Sequence, residues 1–272
     1  MMWRVLFFIA LLSTPLQAAE ITFLGRMEQG GLVVGKAPIG AVITFDGRKL
    51  PTMGDGRFLL GLGRNAPRYV ELILETSMDG REVITLNIEA RDWRLERVNG
   101  VPQTLVTPDP QTVSKIIADS RLMAKARAKV ELTPFFETGF ILPAEGRVSG
   151  VYGSQRILNG SPRAPHSGLD IAAPQGTPIL ASADGVVSLA DPDMTLTGQT
   201  VLINHGYGLQ SVYIHMSALY VKSGQHVRQG DVIGAIGMTG RATGPHLHFG
   251  VTWFDTRLDP ETVFEVLPAA ND

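Results

Sequence analysis

Short runs of β-branched, aliphatic and aromatic residues, each bounded by glycine- or proline-bearing turns, recur along most of the chain and restrict it to an all-β-dominated architecture. From Glu20 to about Arg97 they read VVG, AVITF, FLLGL, YVELILET and EVITLNIEA. The pairs Asp46-Gly47, Asp55-Gly56 and Asp79-Gly80 punctuate them, and such pairs favour tight hairpin turns. This predicts a small N-terminal β-sandwich-like domain over residues 20–97. It contains no histidine and no carboxylates spaced for catalysis, so its expected role is binding or support. From 139 to 267 a second, glycine-dense series, VVSLA, TVLINH, QSVYIHM and VIGAIG, predicts a second β domain, with a tail at 268–272.

Residues 98–138 read as a linker. After VTPDP, the stretch QTVSKIIADSRLMAKARAKVE places Val113, Ile116, Ile117 and Ser120 at helical spacing. Its Lys and Arg gather in the later turns, where they suit the helix dipole, so we expect an amphipathic connecting helix with a solvated basic face. The first 19 residues combine one basic residue, Arg4, an apolar run from Val5 to Leu12, and the small residues Ala18 and Ala19. That is the pattern of a cleavable secretory signal peptide. The run is well short of the ~20 apolar residues that cross a bilayer, so the expected product is periplasmic with no membrane span. A formal charge of -2 excludes an electrostatic nucleic-acid binder and a polybasic membrane-surface protein. The absence of cysteine excludes disulfides and thiolates, so any metal must be held by nitrogen and oxygen.

All six histidines, His166, His205, His215, His226, His246 and His248, fall in the second β series. In GPHLHFG, two imidazoles stand at i and i+2. In a strand such residues share a face, about 6–7 Å apart, while Leu247 and Phe249 point to the opposite one. In RAPHSGLDIAAPQGTP, His166 and Asp170 stand four apart, and the glycine and proline content argues for a turn into a strand. A catalytic zinc takes three protein ligands and keeps a position for water. His166, Asp170 and one member of the His246/His248 pair meet that requirement; the other member is left to handle protons, with His215 as a second helper. His205, in the hairpin-like NHGYG, and His226, in the loop-like SGQHVRQGD, lack metal spacing to a partner, and Asp184, Asp191 and Asp231 read as turn formers.

The segments GRVSGVYGSQR, HSGLD, GTPILASADGVV, INHGYGLQSVYIHMS, VKSGQHVRQGDVIGAIGMTG, TGPHLHFGV and LDPETV together resemble the lysostaphin-type, or LytM-like, zinc metallopeptidases of bacterial peptidoglycan. The resemblance spans nearly all of 139–267. It implies an antiparallel β, lipoyl-hybrid-type catalytic domain with its site in a long groove. It also implies one zinc ion held by His166, Asp170 and His248, with His246 and His215 flanking the activated water. The implied function is an exported zinc endopeptidase acting on peptidoglycan peptide stems. A direct link such as D-alanyl to diaminopimelate is favoured over a glycine bridge. Gly250 departs from the family, where an acidic residue often follows His-Phe. Relatives that have lost ligands serve as non-catalytic wall-binding or amidase-activator proteins; here none is missing. VKSGQHVRQGDVIGAIG also resembles the hairpin of lipoyl or biotinyl carriers, but the only lysine after position 139 is Lys222, outside a carrier-type turn. Whether the N-terminal domain and helix cover the groove is a question for the structure.

Overall fold

The computed structural model describes residues 21–77, 80–98, 110–158 and 161–270; the expected signal peptide, Asp79, linker residues 99–109 and the last two residues lie outside them. The N-terminal runs form two antiparallel sheets. One holds Thr22–Leu24, Leu32–Lys36 and Arg57–Gly61; the other holds Arg48–Lys49, Val42–Phe45, Tyr69–Thr76 and Gly80–Asn87. Alternation supplies the core between them, with Leu32, Ile43, Phe58, Leu60 and Leu72 fully buried. Asp46 and Gly47 both take positive φ, 47° and 71°, which makes the mirror-image two-residue turn that suits the twist of a hairpin.

The second series forms a ten-stranded sheet. Along its main path Gly185–Met194, Gly198–Gly206, Leu209–Leu219, His246–Trp253, Leu169–Ala172 and Arg147–Gly150 follow one another as antiparallel neighbours. The chain then closes with a helix, Pro260–Val266. Asp259 caps it by accepting from Glu261 N, and Pro260 stands at the first turn, where a missing N–H does no harm.

The two halves share one hydrophobic core. Phe45 meets Trp253 with ring centroids 6.3 Å apart, and a Cβ added at Gly61 would lie 2.8 Å from the Trp253 side chain. Only glycine lets the sheets approach this closely. Across the same junction Arg91 donates to Asp259 at 2.8 Å and Leu32 N to Thr262 Oγ1 at 3.2 Å. A parallel pairing of Leu95–Val98 with Gln155–Leu158 adds a second tie.

The expected connecting helix spans Pro110–Arg127, and it lies against the second sheet. Its inward residues are Ile116, Asp119, Met123 and Arg127, whereas Val113 and Ile117, expected on the packed stripe, are 39% and 46% exposed. Polar anchors set the rotation instead of apolar periodicity: Thr195 N donates to Asp119 at 2.7 Å, Gln210 Nε2 to Arg127 O at 3.0 Å, and Asn204 Nδ2 to Lys129 O at 2.8 Å. The surface beneath the helix is a groove lined by polar as well as apolar residues, so the sequence period does not report which face is covered. Among the described residues no helix is long and apolar enough to cross a membrane.

Candidate metal centre

Two neighbouring strands bring the centre together. Asp170, on Leu169–Ala172, stands directly opposite His248, on His246–Trp253. Directly opposed residues of antiparallel strands bring their side chains within contact range on one face. The third member arrives through the turn that precedes Asp170. A Cβ on Gly168 would meet Phe249 O at 2.1 Å, so a glycine is required for the turn to close against the strand.

His166 Nε2 then lies 2.9 Å from both Asp170 Oδ1 and His248 Nδ1, and His248 Nδ1 lies 2.8 Å from Asp170 Oδ1. Two nitrogens and one oxygen converge on a single point, the donor set suited to a zinc-like ion rather than to calcium or magnesium. The backbone fixes the ring of His166: its Nδ1 donates to Val151 O at 2.9 Å, which leaves Nε2 facing Asp170 and His248. Burial opposes ionisation of Asp170, but bonds from His166 and His248 outweigh it and hold the carboxyl well below the usual range. Burial lowers His248 as well, against the pull of Asp170, so the imidazole is neutral and able to coordinate.

The residues alone left open which member of the HLH pair coordinates. His248 falls in the cluster, while His246 Nε2 stands 4.0 Å from Asp170 Oδ1. His246 Nδ1 donates to Gly244 O at 2.9 Å, which turns Nε2 inward. His215 packs its ring 4.8 Å from that of His246 and 6.5 Å from that of His248. It stands at φ 64°, a left-handed conformation uncommon outside glycine, where strand pairing shifts register between Gln199 and Val201. The bulge turns its side chain onto the centre; its Nδ1 donates to Thr239 O at 2.8 Å, leaving Nε2 to titrate. Burial depresses His215 to about 4, against the Thr239 carbonyl, so it is a neutral base at neutral pH.

The remaining histidines stay out. His205 is a fully buried strand residue rather than a turn residue; its Nδ1 meets Asp184 O at 2.6 Å and its Nε2 meets Ser211 Oγ at 2.7 Å. His226 packs edge-on against Phe135. Asp184, Asp191 and Asp231 accept from the backbone of Gln229, Asp193 and Arg228. Sequence reasoning passed over the carbonyls of Val151, Thr239 and Gly244, which carry no residue signature. It also passed over Gly150, where an added Cβ would lie 2.5 Å from Asp170 Oδ2.

Residues 164–260 match the model described as Peptidase family M23. Over 84 residues the chain is 50% identical to "DD-carboxypeptidase/endopeptidase Mpg" of Neisseria meningitidis serogroup B, covering 31% of this chain and 19% of that protein. Over 104 residues it is 43% identical to "Peptidoglycan DD-endopeptidase ShyA" of Vibrio cholerae, covering 38% and 24%. The chain thus spans about a fifth to a quarter of the length of these curated relatives. A crystal structure described as a putative peptidase M23 from Pseudomonas aeruginosa superposes with a TM-score of 0.69 at 27% identity, over 90% of this chain and 97% of that one.

Proposed function

We propose that this chain, whose residues 164–260 form a domain of peptidase family M23, is an exported, zinc-dependent endopeptidase that hydrolyses peptide cross-links of peptidoglycan. The convergence of His166 Nε2, Asp170 Oδ1 and His248 Nδ1 within 2.9 Å, with two further histidines at their side, carries the reading. The relative named as a peptidoglycan DD-endopeptidase supports the substrate, and a D-alanyl to diaminopimelate type of link is the bond we assign.

His166, Asp170 and His248 would hold the ion. Bound zinc supplies Lewis acidity toward a carbonyl oxygen and lowers the pKa of water. The chain's own residues do the rest. Asp170 brings one negative charge and the two imidazoles none, so the centre keeps a net positive field for a developing oxyanion. His215 and His246 each have Nδ1 committed to a carbonyl, so each takes a proton at Nε2 and, once protonated, donates it toward the oxyanion or the leaving amine. No covalent intermediate is needed.

The test is mass spectrometry of cross-linked muropeptides after incubation with the zinc-loaded mature protein, alongside zinc analysis of variants. New peptide termini are expected with the intact protein and none with His248→Ala, which loses its zinc. His246→Ala and His215→Ala keep their zinc and turn over about 10²- to 10⁴-fold more slowly. Loss of zinc from His246→Ala would refute the division of roles.

A further inference from the structure

The cleft that begins at His248 continues well past it. It has a volume of about 270 Å³ and runs between the sheet and the connecting helix. Its floor is the face that His248 shares with Gly250 and Thr252, beside Val212 and Ile214 of the neighbouring strand. An added Cβ at Gly250 would lie 2.9 Å from Val212 Cγ1 and 3.9 Å from His248 Nε2, so the glycine keeps that floor open. Its wall is the helix, through Ile116, Asp119, Met123 and Arg127.

The hydrogen bonds fix which end of the helix meets which end of the cleft. Asp119 accepts from Thr195 N next to the segment whose Thr197 carbonyl accepts from His215 N, at the metal end. Arg127 is held through its carbonyl by Gln210, which pairs with Thr252. Arg257 pairs with Thr252 from the other side. Both arginines therefore reach the Thr252 end of the cleft, four residues along the strand from His248, or about 13 Å at ~3.3 Å per residue.

Arg26, Arg48, Arg57 and Arg91 all meet carboxylates. Arg127 and Arg257 do not: among the described residues, neither guanidinium has a hydrogen-bond or ion-pair partner, although both line the cleft. Burial and the charge of Arg257 both work against the cation of Arg127. Two like charges gathered at one end of a partly enclosed cleft are unfavourable until an anion joins them.

We propose that Arg127 and Arg257 form a carboxylate subsite of the substrate groove, which binds a free carboxylate of the peptide substrate about four extended residues from the scissile bond. The connecting helix is then one wall of the groove, contributing a binding residue, and not a cover that must leave. The assignment rests on the endopeptidase reading for the identity of the substrate.

The experiment compares zinc-loaded full chain with its Arg127→Gln, Arg257→Gln and Arg257→Lys variants on three muropeptides: unmodified, amidated at the C-terminal carboxylates, and amidated at the side-chain carboxylates. Binding of the same peptides to the slow His246→Ala background gives an equilibrium readout independent of turnover. Expected for each Gln variant is a KM and Kd about 10- to 100-fold higher on the unmodified peptide, with kcat and zinc content unchanged. Arg257→Lys recovers part of the loss. One amidated peptide binds the unsubstituted protein as weakly as the unmodified peptide binds the Gln variants, and it identifies the carboxylate. Unchanged binding in both Gln variants overturns the subsite, as does faster cleavage of all three peptides by Arg127→Gln, the behaviour of a released cover. Arginine-dependent binding without cleavage by the unsubstituted protein retains the subsite and refutes the endopeptidase reading.

Discussion

His205 makes stability fall in mild acid in a way that a single substitution isolates. Its ring is fully buried, packs edge-on against Phe140 with centroids 4.9 Å apart, and has both nitrogens committed. Nδ1 donates to the Asp184 carbonyl, so the neutral ring must accept the Ser211 hydroxyl at Nε2. Burial depresses its pKa from the ordinary 6.5 to about 4, with the Asp184 carbonyl resisting the change. The folded value lies below the unfolded one, so the unfolded chain takes up the proton first as pH falls. Stability from this group is therefore complete above about pH 6.5 and declines through the window down to about 4. At about 1.4 kcal/mol per pH unit, the full loss is about 3 kcal/mol. Urea unfolding of the metal-free protein and of His205→Gln, each from pH 7.5 to 4, reads it directly, because every other group is common to both and cancels in the difference. The variant starts less stable and should lose about 3 kcal/mol less across the window. Parallel curves would show that His205 is not the buried base described.

Two further outcomes follow from the same geometry. Tyr213→Phe removes the hydroxyl that accepts from the buried Ser182 N at 2.9 Å and meets Ser211 Oγ at 3.1 Å. An unsatisfied buried N–H costs about 1–3 kcal/mol, so denaturant unfolding should show a loss of that size with zinc stoichiometry intact; a neutral substitution would mean that Ser182 finds another acceptor. Gly150→Ala places a methyl 2.5 Å from Asp170 Oδ2. In the centre we propose, pushing the Asp170 carboxylate aside weakens metal binding about 10- to 100-fold, so chelator competition should show that drop while the metal-free protein melts at its usual temperature. Wild-type zinc affinity in this variant would mean that Asp170 is free to shift.

The sequence displayed what has a short period and concealed what depends on register. The HLH alternation announces two imidazoles on one face because side-chain direction in a strand repeats every two residues. Choosing between them required knowing that Asp170 stands opposite His248 and Ala172 opposite His246, a pairing between segments some eighty positions apart. His215 was legible as a histidine in a strand, but its left-handed backbone was not, since nothing in VYIHMS marks a bulge. The helix was legible and its rotation was not, because Asp119, Gln210 and Asn204 hold it by polar contacts that leave no hydrophobic stripe. Arg127 and Arg257 are 130 positions apart in an unremarkable charge pattern. Only the shared neighbour Thr252 brings them to one end of the cleft.

The strand His246–Trp253 shows how the N-terminal sheets bear on the centre. One face carries His246 and, along the groove, His248, Gly250 and Thr252; the other carries Leu247, Phe249, Val251 and Trp253, all buried. A slip of one residue would exchange the two sets, so the depth of burial on the back face is what holds the two histidines on the front. Trp253 is buried against Phe45 and Gly61, which belong to the N-terminal sheets. Those sheets therefore help to fix the register of the strand that presents His248. The packing of the sandwich and the position of His248 are two ends of one eight-residue element.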